Sequence, residues 1–228
     1  MILPSRYYEE SLYPLQDGVM NTISKCGVQF FLTGGTALSR GYYNHRYSDD
    51  LDFFVNADES YTNQIKEIYI KLKEDGFFWN DQSDFISNKT FTSFKVGWNK
   101  NDTLLKLDFV NDVSKHFGEL KVTNLFIRTD SIRNMLSNKL TALFRFSAKD
   151  VADIREIAIQ TKVDWHQAIN DARQKEAGID VPMLCDILSG FPKKEFDSIS
   201  WTKKTDWDEF CKDIEKITYE MTSTEVYE

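Results

Sequence analysis

Two carboxylates one residue apart, Asp50 and Asp52, lead an apolar run that ends at Val55, and this pattern constrains the chain more than any other. It lies within Phe30 to Val55, FFLTGGTALSRGYYNHRYSDDLDFFV, where a first apolar run stops at Gly34-Gly35-Thr36 and a charged loop leads into a second. Side chains alternate along a strand, so residues i and i+2 share a face. Asp50 and Asp52 therefore project together, with Asp49 and Leu51 turned away. Adjacent carboxylates repel unless a cation lies between them, and hard divalent ions such as Mg²⁺ take oxygen ligands. Acids seldom lead a buried strand without partners; a solvated strand end is the plainer alternative. Asp49 reads as a solvated or loop-capping residue, not as a further ligand.

Lys106-Leu107-Asp108-Phe109-Val110 repeats the theme. If its strand pairs near residues 51–55, Asp108 can meet Asp50 and Asp52, and three carboxylates can hold two ions ~3.5–4 Å apart. Lys106 shares the face of Asp108 by parity and reads as its salt-bridge partner. Upstream, Gly34-Gly35-Thr36 joins a strand to a helix, where glycines allow close backbone approach and helix N-terminal amides attract anions. Taken alone, the pair fits a plain tight turn as well. Arg46 and Ser48 precede Asp50 at two-residue steps, and a guanidinium fork with a hydroxyl suits the oxygens of a triphosphate. His45 reads as an exposed loop histidine.

Apolar spacing predicts a helix over 9–25, a strand over 28–32, a short helix over 36–43 and a strand over 51–55. An amphipathic helix over 61–75 ends at Gly76. Strands over 90–98 and 103–110 form an antiparallel hairpin about the turn 99–102. From Ser131 the pattern is helical: 131–146, 149–160, 164–176, 180–189 and 206–220. The fold class is α+β, with a small mixed sheet and its helices in 1–128 and a helical domain in 129–228. No Pro-, Gly- or Ser-rich linker separates the halves, so they are expected to pack as one body with a cleft between. The aromatics Trp165, Phe191, Phe196, Trp201, Trp207 and Phe210 have irregular spacing and read as core, with a base-stacking platform as the alternative.

Lys139 lies on a helix otherwise lined by Ile132, Leu136, Leu140, Leu143 and Phe144. One straight helix would hold Lys139 and Asp153 roughly 21 Å apart, so both can serve one site only if the helix breaks. Ser147-Ala148-Lys149-Asp150 has a capping-box pattern. The chain is expected to turn sharply near Ser147, with Asp150 partly structural and Asp153 free to face the cleft.

Formal net charge is −8 over 228 residues, which excludes a protein that coats nucleic acid through a broad basic surface. A local basic patch beside an acidic site stays open. Three scattered cysteines without a CxxC support neither a disulfide framework nor a zinc ribbon, and place the chain in the reducing cytoplasm. No apolar run approaches the ~18 residues of a membrane span.

GGTAL, then Arg46-x-Ser48-x-Asp50-x-Asp52, then KLDF at 106–109 and KLTALFRFSAKDVADI at 139–154, resemble the AbiEii/AbiGii-type nucleotidyltransferase toxins. These belong to the polymerase-β-like nucleotidyltransferase superfamily, with mycobacterial MenT toxins as relatives. The resemblance implies a minimal nucleotidyltransferase core and a helical domain. It implies transfer of a nucleotide from an NTP with Mg²⁺, or Mn²⁺ in its place, to an acceptor hydroxyl, on tRNA or other RNA. It also implies a cognate antitoxin and an abortive-infection role. Carried over, Gly34, Gly35, Thr36 and Ser48 cradle phosphates, with Arg46 and Arg145 as further phosphate contacts. Asp50, Asp52 and Asp108 bind metal, Lys139 holds the triphosphate, and Asp153 matches the acid of the last motif. Lys149 stands where the family is expected to carry Arg. A small-molecule acceptor, as in antibiotic nucleotidyltransferases, and a non-catalytic nucleotide-binding module are the alternatives.

Overall fold

A computed structural model describes residues 4–80, 85–98, 102–113 and 115–225. The chain clusters into two compact units, one of Met1–Val113 with Leu120–Asp130 and one of Ser114–Glu119 with Ser131–Glu228.

The first unit is built on a mixed sheet. Its strands are β1 (Phe31–Thr33), β2 (Leu51–Asn56), β3 (Phe77–Phe78), β4 (Ile86–Ser87), β5 (Phe91–Trp98) and β6 (Leu105–Asp112). The order is β1-β2-β6-β5-β3, with β4 also paired to β5. β2 and β6 run parallel, while β1–β2 and β5–β6 are antiparallel. The anticipated hairpin is present as β5–β6; its turn at 99–101 lies outside the described residues. The first strand is shorter than expected, beginning at Phe31.

Alternation along the central strands sorts core from site. Leu51, Phe53, Val55, Leu105, Leu107 and Phe109 are buried, and Phe53 stacks on Phe109 with centroids 5.3 Å apart. The helix Tyr61–Glu74 lays Ile65, Ile68 and Leu72 into this core, and Gly76 takes a positive φ just beyond it. The Tyr61 hydroxyl donates to the Phe109 carbonyl, 3.1 Å, which fixes the helix on the sheet. A helical run opens the unit, as Pro4–Tyr7, a wider π-wound Tyr8–Leu12 and Tyr13–Ser24. It starts earlier than apolar spacing suggests, because Tyr8 and Leu12 are buried along with Leu15, Val19 and Ile23.

The second unit is helical among its described residues: Ile132–Ala142, a 3-10 turn Leu143–Arg145, Ala148–Gln160, Trp165–Lys175, Val181–Ser189, Lys193–Ser198 and Trp207–Glu225. Lys193–Ser198 is an addition to the expected set. Ser131, Asp164 and Asp180 cap their helices by accepting from the amides of Asn134, Gln167 and Met183, each cap contributing roughly 1 kcal/mol. Phe191, Phe196, Trp201, Trp207 and Phe210 form one aromatic cluster, so the core reading of these rings holds.

Candidate active site

Parallel pairing of β2 with β6 sets Asp52 opposite Asp108 in register. Antiparallel pairing on either side extends the row, with Thr33 opposite Asp52 and Ser93 opposite Asp108. Partners in register share a face, so Thr33, Asp52, Asp108 and Ser93 form a polar row across the sheet, turned away from the Phe53–Phe109 core. Asp108 is engaged at both oxygens: the Ser93 hydroxyl donates to one and the Lys106 ammonium to the other, each at 2.6 Å. Lys106 is thus the salt-bridge partner that strand parity suggests. Burial alone would lower the Lys106 pKa, but the hydrogen bond and charge of Asp108, followed by the charges of Asp50 and Asp52, hold it above its usual value. One ammonium therefore feels all three carboxylates.

The glycine pair lies against this row. Gly34 has φ +71°, and a methyl group built on it would run into the Asp52 carboxylate. Gly35 backs onto the next two side chains, where a Cβ would come within 2.5 Å of an Arg46 guanidinium nitrogen and 3.0 Å of the Ser48 hydroxyl. A helix starts at once, as Gly34–Thr36 and then a π-wound Ala37–Tyr43 that ends at left-handed Asn44. The Thr36 hydroxyl donates to the Asp50 carbonyl at 2.5 Å, tying the first helical turn to the lead-in of β2.

Burial assigns these residues different tasks. Arg46 is 1% exposed, donates to the Tyr47 carbonyl at 3.0 Å, and sits beneath the glycine loop. Ser48 is also buried, and Thr36 is fully enclosed. His45 is buried, 5% exposed, and meets Tyr43 edge-on, so the expectation of an exposed loop histidine is corrected. The left-handed turn at Asn44, whose amide donates to the Ser39 carbonyl, closes the preceding helix and brings His45 against Tyr43 at its end. Asp49 is held by the Tyr8 hydroxyl at 2.6 Å.

Three positioning residues escape sequence reasoning. Gln16, fully buried on the first long helix, donates to both the Ser48 and Asp49 carbonyls at 3.1 Å and thereby fixes the segment leading to Asp50. Asp130 is fully buried and accepts from the Thr33 hydroxyl at 2.6 Å. Tyr42 donates to the Asp130 carbonyl at 2.7 Å, and burial, then the charge of Asp130, push its pKa to about 12.

In the helical unit the chain breaks where anticipated. Phe146 takes the left-handed conformation, φ +54°, between the turn Leu143–Arg145 and the helix Ala148–Gln160. The break folds Lys139 onto two acids, with its ammonium 2.6 Å from Asp150 and 2.7 Å from Asp153. Asp153 is therefore not left free: it is fully buried and ion-paired. The capping box does not form either, because Ser147 makes no side-chain cap and the Asp150 carboxylate is taken by Lys139 and, at 3.3 Å, by Arg145.

Among the described residues, no group of three His, Cys, Asp or Glu side chains already stands at metal-binding spacing. The donor chemistry nevertheless suits a hard divalent cation. Asp52 and Asp108 are neighbours across one strand pair, and Asp50 lies two residues before Asp52. Their joint pull on the Lys106 ammonium marks the spot as one where positive charge is stabilised. Among the described residues no helix is long and apolar enough to cross a membrane.

Comparison with known proteins identifies the fold and the family. No curated protein matches the chain. Among solved structures, a nucleotidyltransferase toxin of Mycobacterium tuberculosis H37Rv, MenT4, is similar at TM-score 0.63 and 17% identity, covering 96% of this chain and 86% of that one. A Helicobacter pylori structure described as a putative nucleotidyltransferase is similar at TM-score 0.62 and 21% identity, covering 96% and 98%. JHP933 from Helicobacter pylori gives TM-score 0.60 and 19% identity over 100% and 96%. These likenesses establish a shared fold. The family model described as nucleotidyl transferase AbiEii toxin of type IV toxin–antitoxin systems matches residues 20–219. That span takes in the glycine pair, the row of acids and most of the helical unit, and the chain belongs to the AbiEii family of nucleotidyltransferase toxins.

Proposed function

We propose that this toxin moves a nucleotide from an NTP to an acceptor hydroxyl on RNA, with tRNA as the first candidate, using Mg²⁺ or Mn²⁺ held by Asp50, Asp52 and Asp108. The observation that carries the reading is the register of Asp52 with Asp108, with Gly34 packed directly on the Asp52 carboxylate. Such ions, when bound, neutralise phosphate charge and lower the pKa of an attacking hydroxyl. Ion binding would draw the three acids together from their present positions.

The remaining tasks fall to the chain itself. Amides of the first helical turn after Gly34 attract the anionic triphosphate, and the absence of a side chain at Gly34 and Gly35 lets that turn pack directly on Asp52, Arg46 and Ser48. Arg46, from beneath, and Gln16, from the side, hold the loop and the Asp50 lead-in. The acceptor oxygen forms a bond to the α-phosphorus as the bond to pyrophosphate breaks, and Asp108 takes the hydroxyl proton. Catalysis then rests on positioning and charge neutralisation. Lys139 and Arg145 enter as phosphate-binding cations of the helical unit, on the strength of the family pattern. The protein would act in the cytoplasm as the toxin of an abortive-infection system, neutralised by an antitoxin.

Incubation with each labelled NTP, with unfractionated tRNA in one series and a panel of aminoglycosides in another, tests the reading. Label in the RNA fraction supports it. Label confined to the small molecules replaces the acceptor, and no label in either overturns transfer.

A further inference from the structure

We propose that Phe146, with Arg145 and Lys149, forms a platform on which an unpaired base of the acceptor RNA stacks. The inference rests on the preceding reading, that RNA is the acceptor, and adds where it is gripped.

Phe146 combines two features that folding alone does not call for. It holds φ +54°, a conformation that glycine adopts freely and that strains a residue with a Cβ. It is also 74% exposed, so it contributes little to the core in return. The left-handed turn itself has a structural purpose, since it brings Lys139 onto Asp150 and Asp153. Glycine would serve that purpose without the strain. A benzyl ring held out to solvent at a strained turn is a surface for contact.

Its neighbours define the class of contact. The Arg145 side chain is 72% exposed, and its guanidinium is oriented by the Asp150 carboxylate at 3.3 Å. Lys149, on the first turn of the helix that follows, is also exposed. Lys139 is buried against Asp150 and Asp153, and Arg133 is paired with Asp171, so the exposed cations beside the ring are Arg145 and Lys149. An exposed ring with exposed cations one residue before it and three after it suits a base with its adjoining phosphates, the combination by which single strands are held. It suits a polyanion better than the apolar face of a protein.

Phe146→Gly removes the ring and relieves the backbone, and Phe146→Trp restores a stacking surface. Binding of fluorescent unfractionated tRNA is measured by anisotropy, and transfer kinetics give KM for tRNA and for NTP separately. The expected result is a dissociation constant and a tRNA KM raised about tenfold in Phe146→Gly. NTP KM should hold, thermal stability should be equal or higher, and binding should return in Phe146→Trp. Unchanged tRNA binding in Phe146→Gly overturns the proposal. A rise in NTP KM with tRNA binding intact also overturns it, because the stacked base would then belong to the donor. Wild-type RNA binding together with lost antitoxin binding overturns it in favour of a protein contact. Since tRNA binding is read without turnover, a protein that binds tRNA through Phe146 but transfers nothing would contradict the proposed reaction and leave this platform standing.

Discussion

Asp52 and Asp108 stand opposite each other on two parallel strands, so two carboxylates far apart in sequence become neighbours on one face of the sheet. The Lys106 ammonium is bound to Asp108 at 2.6 Å and feels the charges of Asp50 and Asp52 as well. A divalent ion at the acids would compete with that ammonium.

Replacing Lys106 with methionine should therefore tighten divalent-ion binding. The Lys106 side chain is 41% exposed, so loss of the pair should shift folding stability by no more than about 1 kcal/mol. A Mg²⁺ titration followed by thermal unfolding should show the Lys106→Met variant stabilised at several-fold lower Mg²⁺ than wild type. EDTA should abolish the stabilisation in both.

Gly34 tests the close approach. Its positive φ and its contact with the Asp52 carboxylate leave no room for a methyl group. Gly34→Ala should cost about 1–3 kcal/mol in urea unfolding and should reduce transfer well beyond what lost folded protein explains. Gly178→Ala, where the nearest atom to an added Cβ is 3.9 Å away, is the control and should leave transfer intact.

Lys139 compensates two buried carboxylates, and its removal would leave them facing each other. Lys139→Met should destabilise the protein by about 3–5 kcal/mol, as is usual when one partner of a buried ion pair is lost. Adding Asp153→Asn to that background should recover part of the loss. Urea midpoints of wild type, the single variant and the double variant give the comparison.

Tyr42 supplies a pH dependence. Its folded pKa is raised to about 12, by burial first and then by Asp130. A raised pKa means the folded state keeps its proton longer, so the stabilisation is complete below the unfolded value near 10 and is lost as pH climbs toward about 12. Tyr42→Phe should cost about 0.5–1.5 kcal/mol near pH 8, through the lost bond to the Asp130 carbonyl. The gap between the two proteins should narrow near pH 11.

Much of the row of acids is legible in the sequence itself, because two-residue periodicity alone sets Asp50 with Asp52 and Lys106 with Asp108. Even Ser93 is within reach of such reasoning: a hairpin centred on residues 99–102 pairs Ser93 with Asp108, as the strands do. Gln16 and Asp130 are not legible, since each acts through tertiary contacts with no local signature. Gln16 is a polar residue among the buried positions Leu15, Val19 and Met20 of its helix, and Asp130 reads as a helix-leading acid. The exposed reading of His45 fails because its burial depends on the reversal at Asn44 rather than on its polar neighbours. The break at Phe146 follows from helix geometry, but what the break does is not readable from spacing. It encloses Asp153 with Lys139, because a buried ammonium between two acids is better satisfied than one facing a single carboxylate.

One assay tests the row of acids most directly: release of pyrophosphate and incorporation of label from α-labelled NTP into unfractionated tRNA, run on wild type, Asp52→Asn and Asp108→Asn. Asp52→Asn removes one of two neighbouring like charges and should fold with unchanged or slightly raised stability, while Asp108→Asn also gives up the Lys106 pair and should stay within about 1 kcal/mol of wild type. The predicted result is incorporation with matching pyrophosphate in wild type and a loss of at least about 100-fold in each variant. Well-folded variants that transfer label at the wild-type rate would contradict it.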